Sequence, residues 1–423
     1  MCLSTCLQNS LNPDKVYHER NITVARKLKL ALIGLGRRGR RSHLPVYPKL
    51  NDVYDFVAVC DKDETVLKEV AEEYDVNTYT SVKDLVARER LDVVDVVVPG
   101  DAHHAVCCFL ADQGIHMIVE TPIAPTRPMA DLMIDAAKRN NIKLEVAENY
   151  HRTAMARFQA RVIEAGVIGE VGRIYRIFYE GGYHGMSMLR LLAGSPPTSI
   201  LGITHVTPVV PIIDRMLRRH TEERWVTSYL DFANGAAAVM IYSNVIHARS
   251  LGRKATGISQ IDGTRGAIVG TAIHYTRPEE YEKGAVAQAY EPQFISTEVN
   301  GVQVLDRILV ELPDQTIVWE NPYAHLGIGE EKGRSIDMAD QLMSIANAVL
   351  HDTEPTYGAH AARLDQEMAL AASESAQMDR QPLSFPLREP SQTETGIHER
   401  FKATYGYEYH EIEPLLDVWY PRR

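Results

Sequence analysis

The sequence predicts an α/β Rossmann domain, built on a doubly wound parallel sheet, followed by an α+β domain with a large, mostly antiparallel sheet. Three observations predict it. From residue 27 to residue 150, short β-branched runs alternate with helical periodicity. A glycine turn, Gly34-Leu35-Gly36-Arg37-Arg38-Gly39, joins the first strand to the first helical stretch. Beyond residue 151 the segments lengthen and alternate apolar with polar residues, and Asn234-Gly235 between two of them signals a hairpin.

Residues 1–26 are polar and lack periodicity, as an N-terminal extension would, and the Rossmann domain is expected over 27–150. Its strands are predicted at 27–33, 56–60, 93–98, 115–119 and 143–147, with helices at 63–74, 103–114 and 129–140. The stretch Val93 to Val98 is rich in β-branched residues, as suits a strand buried on both faces. The second domain is expected over 151–390. It opens with a helix at 153–165 and continues with strands at 173–180, 225–232, 236–243 and 266–270. Residues 272–335 read as polar, acidic and irregular, an insertion over the site, and helices follow at 336–350 and 359–378. The tail, 391–423, is charged and rich in tyrosine.

Composition excludes several classes of function. The formal net charge of -11 argues against a nucleic-acid partner, because phosphate binding needs a basic balance. No run of about 18 apolar residues occurs, so no transmembrane helix is expected. The first residues lack the order of a signal peptide. The five cysteines are few and lack zinc-ligand spacing, which fits free thiols in the cytoplasm. The histidines are scattered, and no metal site is expected.

The chemistry starts at the glycine turn. Gly34 permits the tight turn, Gly36 lets the backbone approach a pyrophosphate, and Gly39 lets the helix pack on the strand. The N–H groups of the helix start attract the phosphates. Asp61 ends the second strand, where a carboxylate accepts from the adenosine ribose hydroxyls. That carboxylate repels a 2′-phosphate, so NAD is expected rather than NADP. Arg37 and Arg38 in the turn, with Arg40, Arg41 and Lys62 nearby, pull the other way. Two further segments end later strands, where a doubly wound sheet binds its ligand: Pro99-Gly100-Asp101-Ala102-His103 and Glu120-Thr121-Pro122.

With Gly166-Val-Ile-Gly-Glu-Val-Gly172 and Ile261-Asp-Gly-Thr-Arg-Gly266, these segments make the chain resemble the Gfo/Idh/MocA family of sugar and cyclitol oxidoreductases over residues 27–390. The resemblance implies an open-faced second sheet, a small sugar or glycoside bound between that sheet and the nicotinamide, and a homo-oligomer, dimer or tetramer, formed through the open face. It also implies cofactor contacts at Pro99, His103, Glu120, Thr121 and Pro122. His103 reads equally as a helix cap. One departure is central. Family dehydrogenases usually carry Glu-Lys-Pro, whose lysine helps remove the proton of the reacting hydroxyl. Thr121 cannot supply a cation or a base near neutral pH, and Arg127 stays protonated.

A second segment, Glu180-Gly-Gly-Tyr-His-Gly185, keeps the acid-to-histidine spacing of the polyol dehydrogenases in Glu180 and His184. His184-Gly185 together with Tyr150 resembles instead the NAD-dependent glycosidases of the family, which also lack the lysine. There a C3 hydroxyl is transiently oxidised, the C2 proton is removed by a tyrosine or similar base, the aglycone leaves, water adds and the hydride returns. The expected catalytic residues are Tyr150, His184 and Glu180, with His151, Arg152 and Tyr183 as substrate contacts. Packing roles stand beside these: His184 under the sheet, Tyr150 at a domain interface, Glu180 facing solvent, Arg152 paired with Glu148. Three readings stay open: a redox-neutral glycosidase or lyase, a net sugar or cyclitol dehydrogenase, and a sugar or cofactor sensor.

Overall fold

The computed structural model describes residues 26–213, 219–247, 257–329, 335–387 and 391–421. The expected N-terminal extension lies outside them except for Arg26, which pairs with Asp92 at 2.6 Å.

Six strands, β1 (Leu28–Ile33), β2 (Tyr54–Cys60), β3 (Asn77–Tyr79), β4 (Val93–Val96), β5 (His116–Val119) and β6 (Leu144–Val146), form a parallel sheet in the order β3-β2-β1-β4-β5-β6. Chain direction across the sheet reverses between β1 and β4, and the crevice beyond their C-terminal ends is where such sheets bind ligands. The helices α1 (Glu64–Tyr74), α2 (Val82–Arg88), α3 (His103–Asp112) and α4 (Arg127–Arg139) complete the layers. Asp63 starts α1 by accepting from the amides of Thr65 and Val66, satisfying two donors that a helix start leaves open. The stretch after the glycine turn is not an α-helix. It is one π-helical turn (Gly39–His43) followed by a 3-10 segment (Leu44–Leu50), in which Pro45 and Pro48 remove backbone donors.

The second domain holds a nine-stranded sheet. Its strands are β7 (Val171–Ile177), β8 (Pro197–Ile213), β9 (Arg219–Phe232), β10 (Ala237–Ser243), β11 (Ile258–Gly263), β12 (Ala267–Val269), β13 (Ala272–Tyr275) and β14 (Gln288–Tyr290), with β18 (Leu383–Ser384) at the far edge. The order is β14-β13-β12-β11-β7-β10-β9-β8-β18, antiparallel except between β7 and β10. Asn234-Gly235 does turn β9 into β10, with Gly235 at φ +85. The region 272–335 is more regular than its composition suggests: β15 (Gln293–Val299), β16 (Val302–Glu311) and β17 (Thr316–Glu320) form a separate antiparallel sheet. That sheet packs against α5 (Ala154–Glu164). Half-exposed alternation in β15 hid it from a reading by polarity.

Helices α6 (Gly182–Ala193) and α8 (Ala359–Gln377) cover one face of the large sheet, and at Gly202 the β8 backbone runs so close to the Ala372 carbonyl that a Cβ would collide. Val206, Val210, Ile213, Trp225 and Tyr229 of the β8–β9 hairpin stay exposed. The Rossmann domain is tied to α7 (Ser335–His351) by Tyr54, whose hydroxyl donates to the Leu342 carbonyl at 2.6 Å, and to α8 by the pair Arg363–Asp131. No helix among the described residues is long and apolar enough to cross a membrane.

Candidate active site

The glycine turn has the shape a dinucleotide needs. Gly34 sits at φ +101, and a side chain there would run into the Val97 carbonyl just after β4. A side chain at Gly39 would strike the Gly34 carbonyl, so the helical turn can lie against the strand only with glycine there. At Gly36 nothing lies within 4 Å of where a Cβ would be, which leaves open space beside bare backbone. Asp61 closes the turn from β2: its carboxylate accepts from Leu35 N at 2.6 Å and from Asp63 N at 2.9 Å. These residues fit a dinucleotide: the bare backbone at Gly36 would face its pyrophosphate and Asp61 would accept from a ribose hydroxyl.

Beneath the Glu120-Thr121-Pro122 segment runs a buried charge chain absent from the sequence-based expectations. His43 has no exposed surface. Its Nδ1 lies 2.7 Å from Asp95 and its Nε2 lies 2.9 Å from Glu120. Tyr47 donates to the same Asp95 at 2.7 Å, and Arg38 Nε pairs with Glu120 at 2.5 Å. Burial disfavours the imidazolium, but Asp95 and Glu120 outweigh it and raise the His43 pKa to about 9. Burial likewise disfavours the Glu120 carboxylate, and His43 and Arg38 reverse that, holding it well below the usual range. Arg38 is thus spent on Glu120. Thr121 turns its amide to Glu120 at 3.0 Å, and the Thr121-Pro122 peptide is cis.

A pKa raised from an unfolded value of 6.5 to about 9 stabilises the fold below that unfolded value, and the stabilisation is lost as pH rises through about 9. Urea denaturation across that window is expected to show a decline that the His43→Gln variant lacks. Parallel pH profiles for the two proteins would mean that His43 is neutral in the fold.

The catalytic candidates converge where β6 ends and α6 begins. Glu148 is wholly buried. One carboxylate oxygen accepts from Tyr150 N at 3.0 Å, and the other receives His184 Nδ1 at 2.6 Å. The Tyr150 ring packs tilted against the His184 ring, centroids 4.6 Å apart. The His184 side chain keeps about a third of its surface exposed. Glu148 fixes the proton on Nδ1 and leaves Nε2 as the basic nitrogen.

Other expected residues stand differently. Glu180 is not exposed and does not partner His184: it is buried and bound to Arg176, which also donates to Ser259 Oγ at 2.6 Å. The partner of His184 is Glu148, because α6 carries the ring back toward β6. One Glu180 oxygen is buried without a hydrogen bond, and burial raises the pKa of the group. Tyr183 faces inward, its hydroxyl 2.8 Å from that of Tyr357, which contacts Asp365; Asp365 in turn pairs with Arg190. Arg152 is wholly buried, bonded to Glu145, to Asp340 at 2.7 Å and to the Glu148 carbonyl at 3.1 Å, so it holds the Glu148 loop in place from behind rather than meeting solvent. The expected side-chain pairing of Arg152 with Glu148 is a backbone contact instead. His151 packs tilted against the Tyr357 ring, and its Nδ1 is buried without a hydrogen bond. His103 neither caps α3 through its side chain nor opens to the crevice: its nitrogens lie 2.9 Å from the Pro122 carbonyl and 3.0 Å from that of Val98, stitching two loops together. Pro99 precedes the 3-10 turn Gly100–Ala102 that leads from the second of these loops into α3.

A parallel nucleotide-type sheet with a glycine cradle, beside an open second sheet and a carboxylate-held histidine, defines an oxidoreductase of the Rossmann class. The chain belongs to the Gfo/Idh/MocA oxidoreductase family: the NAD-binding Rossmann profile of that family matches residues 28–148, and its C-terminal alpha/beta domain profile matches 176–385. Among curated relatives it is 30% identical over 146 residues to D-glucoside 3-dehydrogenase of Escherichia coli, covering 34% of this chain and 41% of that one. It is 28% identical over 154 residues to a glycosyl hydrolase family 109 protein of Shewanella putrefaciens, covering 34% and 33%. These matches span less than half of either relative. The fold is similar to that of the WlbA dehydrogenase from Bordetella pertussis, solved with NADH and UDP-GlcNAcA, with TM-score 0.62 at 16% identity, covering 86% of this chain and 99% of that one.

Proposed function

We propose that this protein is a redox-neutral glycosidase or glycoside lyase that binds NAD, rather than NADP, and works at the C3 hydroxyl of a small sugar or glycoside. The observation that carries this reading is the Glu148–His184 pair packed against Tyr150, in a site whose Glu-x-Pro segment holds Thr121 where family dehydrogenases hold lysine. NAD, when bound, supplies a hydride acceptor that is restored within the same cycle. The remaining work falls to side chains. With the C3 hydroxyl transiently oxidised to a ketone, its O–H proton passing through His184 Nε2 to water, the C2–H bond becomes acidic. His184 Nε2 or the Tyr150 oxygen takes that proton, the C1–O bond breaks and the aglycone leaves with a proton. Water adds at C1, C2 regains a proton and the C3 hydroxyl is restored. Glu148 stabilises the imidazolium formed at His184, and Glu180 stands in reserve behind it.

The likeness to D-glucoside 3-dehydrogenase favours a second reading, net oxidation of a sugar. Incubating the protein with glycosides and substoichiometric NAD separates the two. Release of aglycone without accumulating NADH supports the first, whereas one NADH per sugar oxidised supports the second. The exposed apolar residues of the β8–β9 hairpin support a homo-oligomer built on that face, and the buried free cysteines Cys60, Cys107 and Cys108 suit a cytoplasmic setting.

A further inference from the structure

Residues beyond 390 run back over the Rossmann domain. Helix α9 (Gln392–Tyr405) is pinned to it by Arg127, whose guanidinium binds Glu394 at 2.6 Å in a buried pair, and by His398 at 2.8 Å from Thr126. The chain then runs past α3 and the loops that follow β4 and β2. Tyr405 donates to Asp101, in the loop after β4, at 2.7 Å, and the Tyr409 carbonyl lies 2.8 Å from His104. Leu415 and Leu416 are buried in the Rossmann core. At the loop after β2, Lys62 Nζ donates to the carbonyls of Val418 at 2.5 Å and Leu416 at 3.3 Å. Lys83 pairs with Glu413 and Asp417 at 2.8 and 3.0 Å.

Lys62 follows Asp61, the carboxylate placed to read the adenosine ribose. A cation at that point is the kind of group that would accommodate a 2′-phosphate. Here its donors are turned to main-chain carbonyls of the tail. Arg38 and Arg40 are also engaged, with Glu120 and with Glu69 at 3.0 Å. We propose that the C-terminal tail sets the dinucleotide preference: by holding Lys62 it withholds a cation from the 2′ position and leaves Asp61 to favour NAD over NADP. The inference rests on the dinucleotide cradle and is independent of the sugar chemistry.

Calorimetric titration of NAD and NADP tests it on four proteins: the full chain, a chain ending at Glu411, and Lys62→Met in each. Shortening the chain is expected to strengthen NADP binding about tenfold and leave NAD within about threefold. Lys62→Met is expected to be silent toward NADP in the full chain and to cancel the gain in the shortened one. If the shortened chain fails to fold, Lys83→Ala combined with Leu416→Ala loosens the tail in place and must give the same gain. An unchanged NADP-to-NAD ratio in the released variants overturns the proposal, as does weakened NADP binding by Lys62→Met in the full chain. Absence of binding by either dinucleotide to the full chain would instead remove the cradle itself, a separate result.

Discussion

His184→Ala lowers turnover by about 10²–10⁴-fold, the usual contribution of a general acid–base group, while NAD affinity stays within about twofold. The imidazole is held by a buried carboxylate, and it keeps an accessible edge. Glu148→Gln tests the arrangement from behind. Its two oxygens now accept from Tyr150 N and from His184 Nδ1. An amide offers one acceptor, so it must either release the Tyr150 loop or present NH₂ to Nδ1 and move the imidazole proton to Nε2. Glu148 is a positioning residue, and its loss is expected to lower kcat while leaving KM and NAD affinity close to wild type. Tyr150→Phe preserves the ring contact and removes only the hydroxyl, which isolates the share of proton transfer that oxygen carries. Wild-type turnover in His184→Ala would move the chemistry to Glu180, whose buried, unbonded oxygen is the next acceptor.

Gly36→Val weakens NAD binding by more than about a hundredfold, equivalent to about 2.7 kcal/mol, without lowering the melting temperature. The two halves of that expectation come from one fact: the space around a Gly36 side chain is open in the protein alone, so the fold tolerates it and the pyrophosphate cannot. Gly34→Ala provides the contrast. Its backbone at φ +101 and the Val97 carbonyl beside it make the substitution a folding defect. Calorimetry with NAD and a thermal melt distinguish the two. Unaltered NAD affinity in Gly36→Val would remove the phosphate-binding role from the 34–39 turn.

How far the sequence revealed this molecule can be read from particular residues. The Rossmann strands were legible because Val93, Val94, Val96 and their neighbours are buried on both faces, and helix starts were legible where Asp63 and Thr153 cap them. Strand β8 was not, because Pro208 and Pro211 interrupt it; the ladder accommodates them with a register shift between Pro208 and Ile212. The glycine turn and Asp61 were legible as a cradle because their roles are local. The Glu148–His184 pair was not, since its partners lie 36 residues apart and meet only once α6 packs against the end of β6. His43 and Asp95 escaped for a similar reason: a lone histidine after an arginine run and a lone aspartate in a valine run gain meaning only when burial joins them. Spacing suggested Glu180 as the acid for His184, but Arg176, on strand β7 four residues earlier, pairs with it instead. The tail read as a charged, tyrosine-rich terminus, and only its docking on Asp101, Lys62 and Lys83 shows which surface it serves.

The central claim, transient oxidation at C3 followed by proton loss at C2, is tested most directly by turning over a glycoside in D2O and locating deuterium in the recovered sugar by mass spectrometry. The expected result is one deuterium at C2 per aglycone released, with NAD unchanged in oxidation state at the end. Product carrying no C2 deuterium, formed together with stoichiometric NADH, would contradict it and make Thr121 a tolerated replacement in an ordinary dehydrogenase.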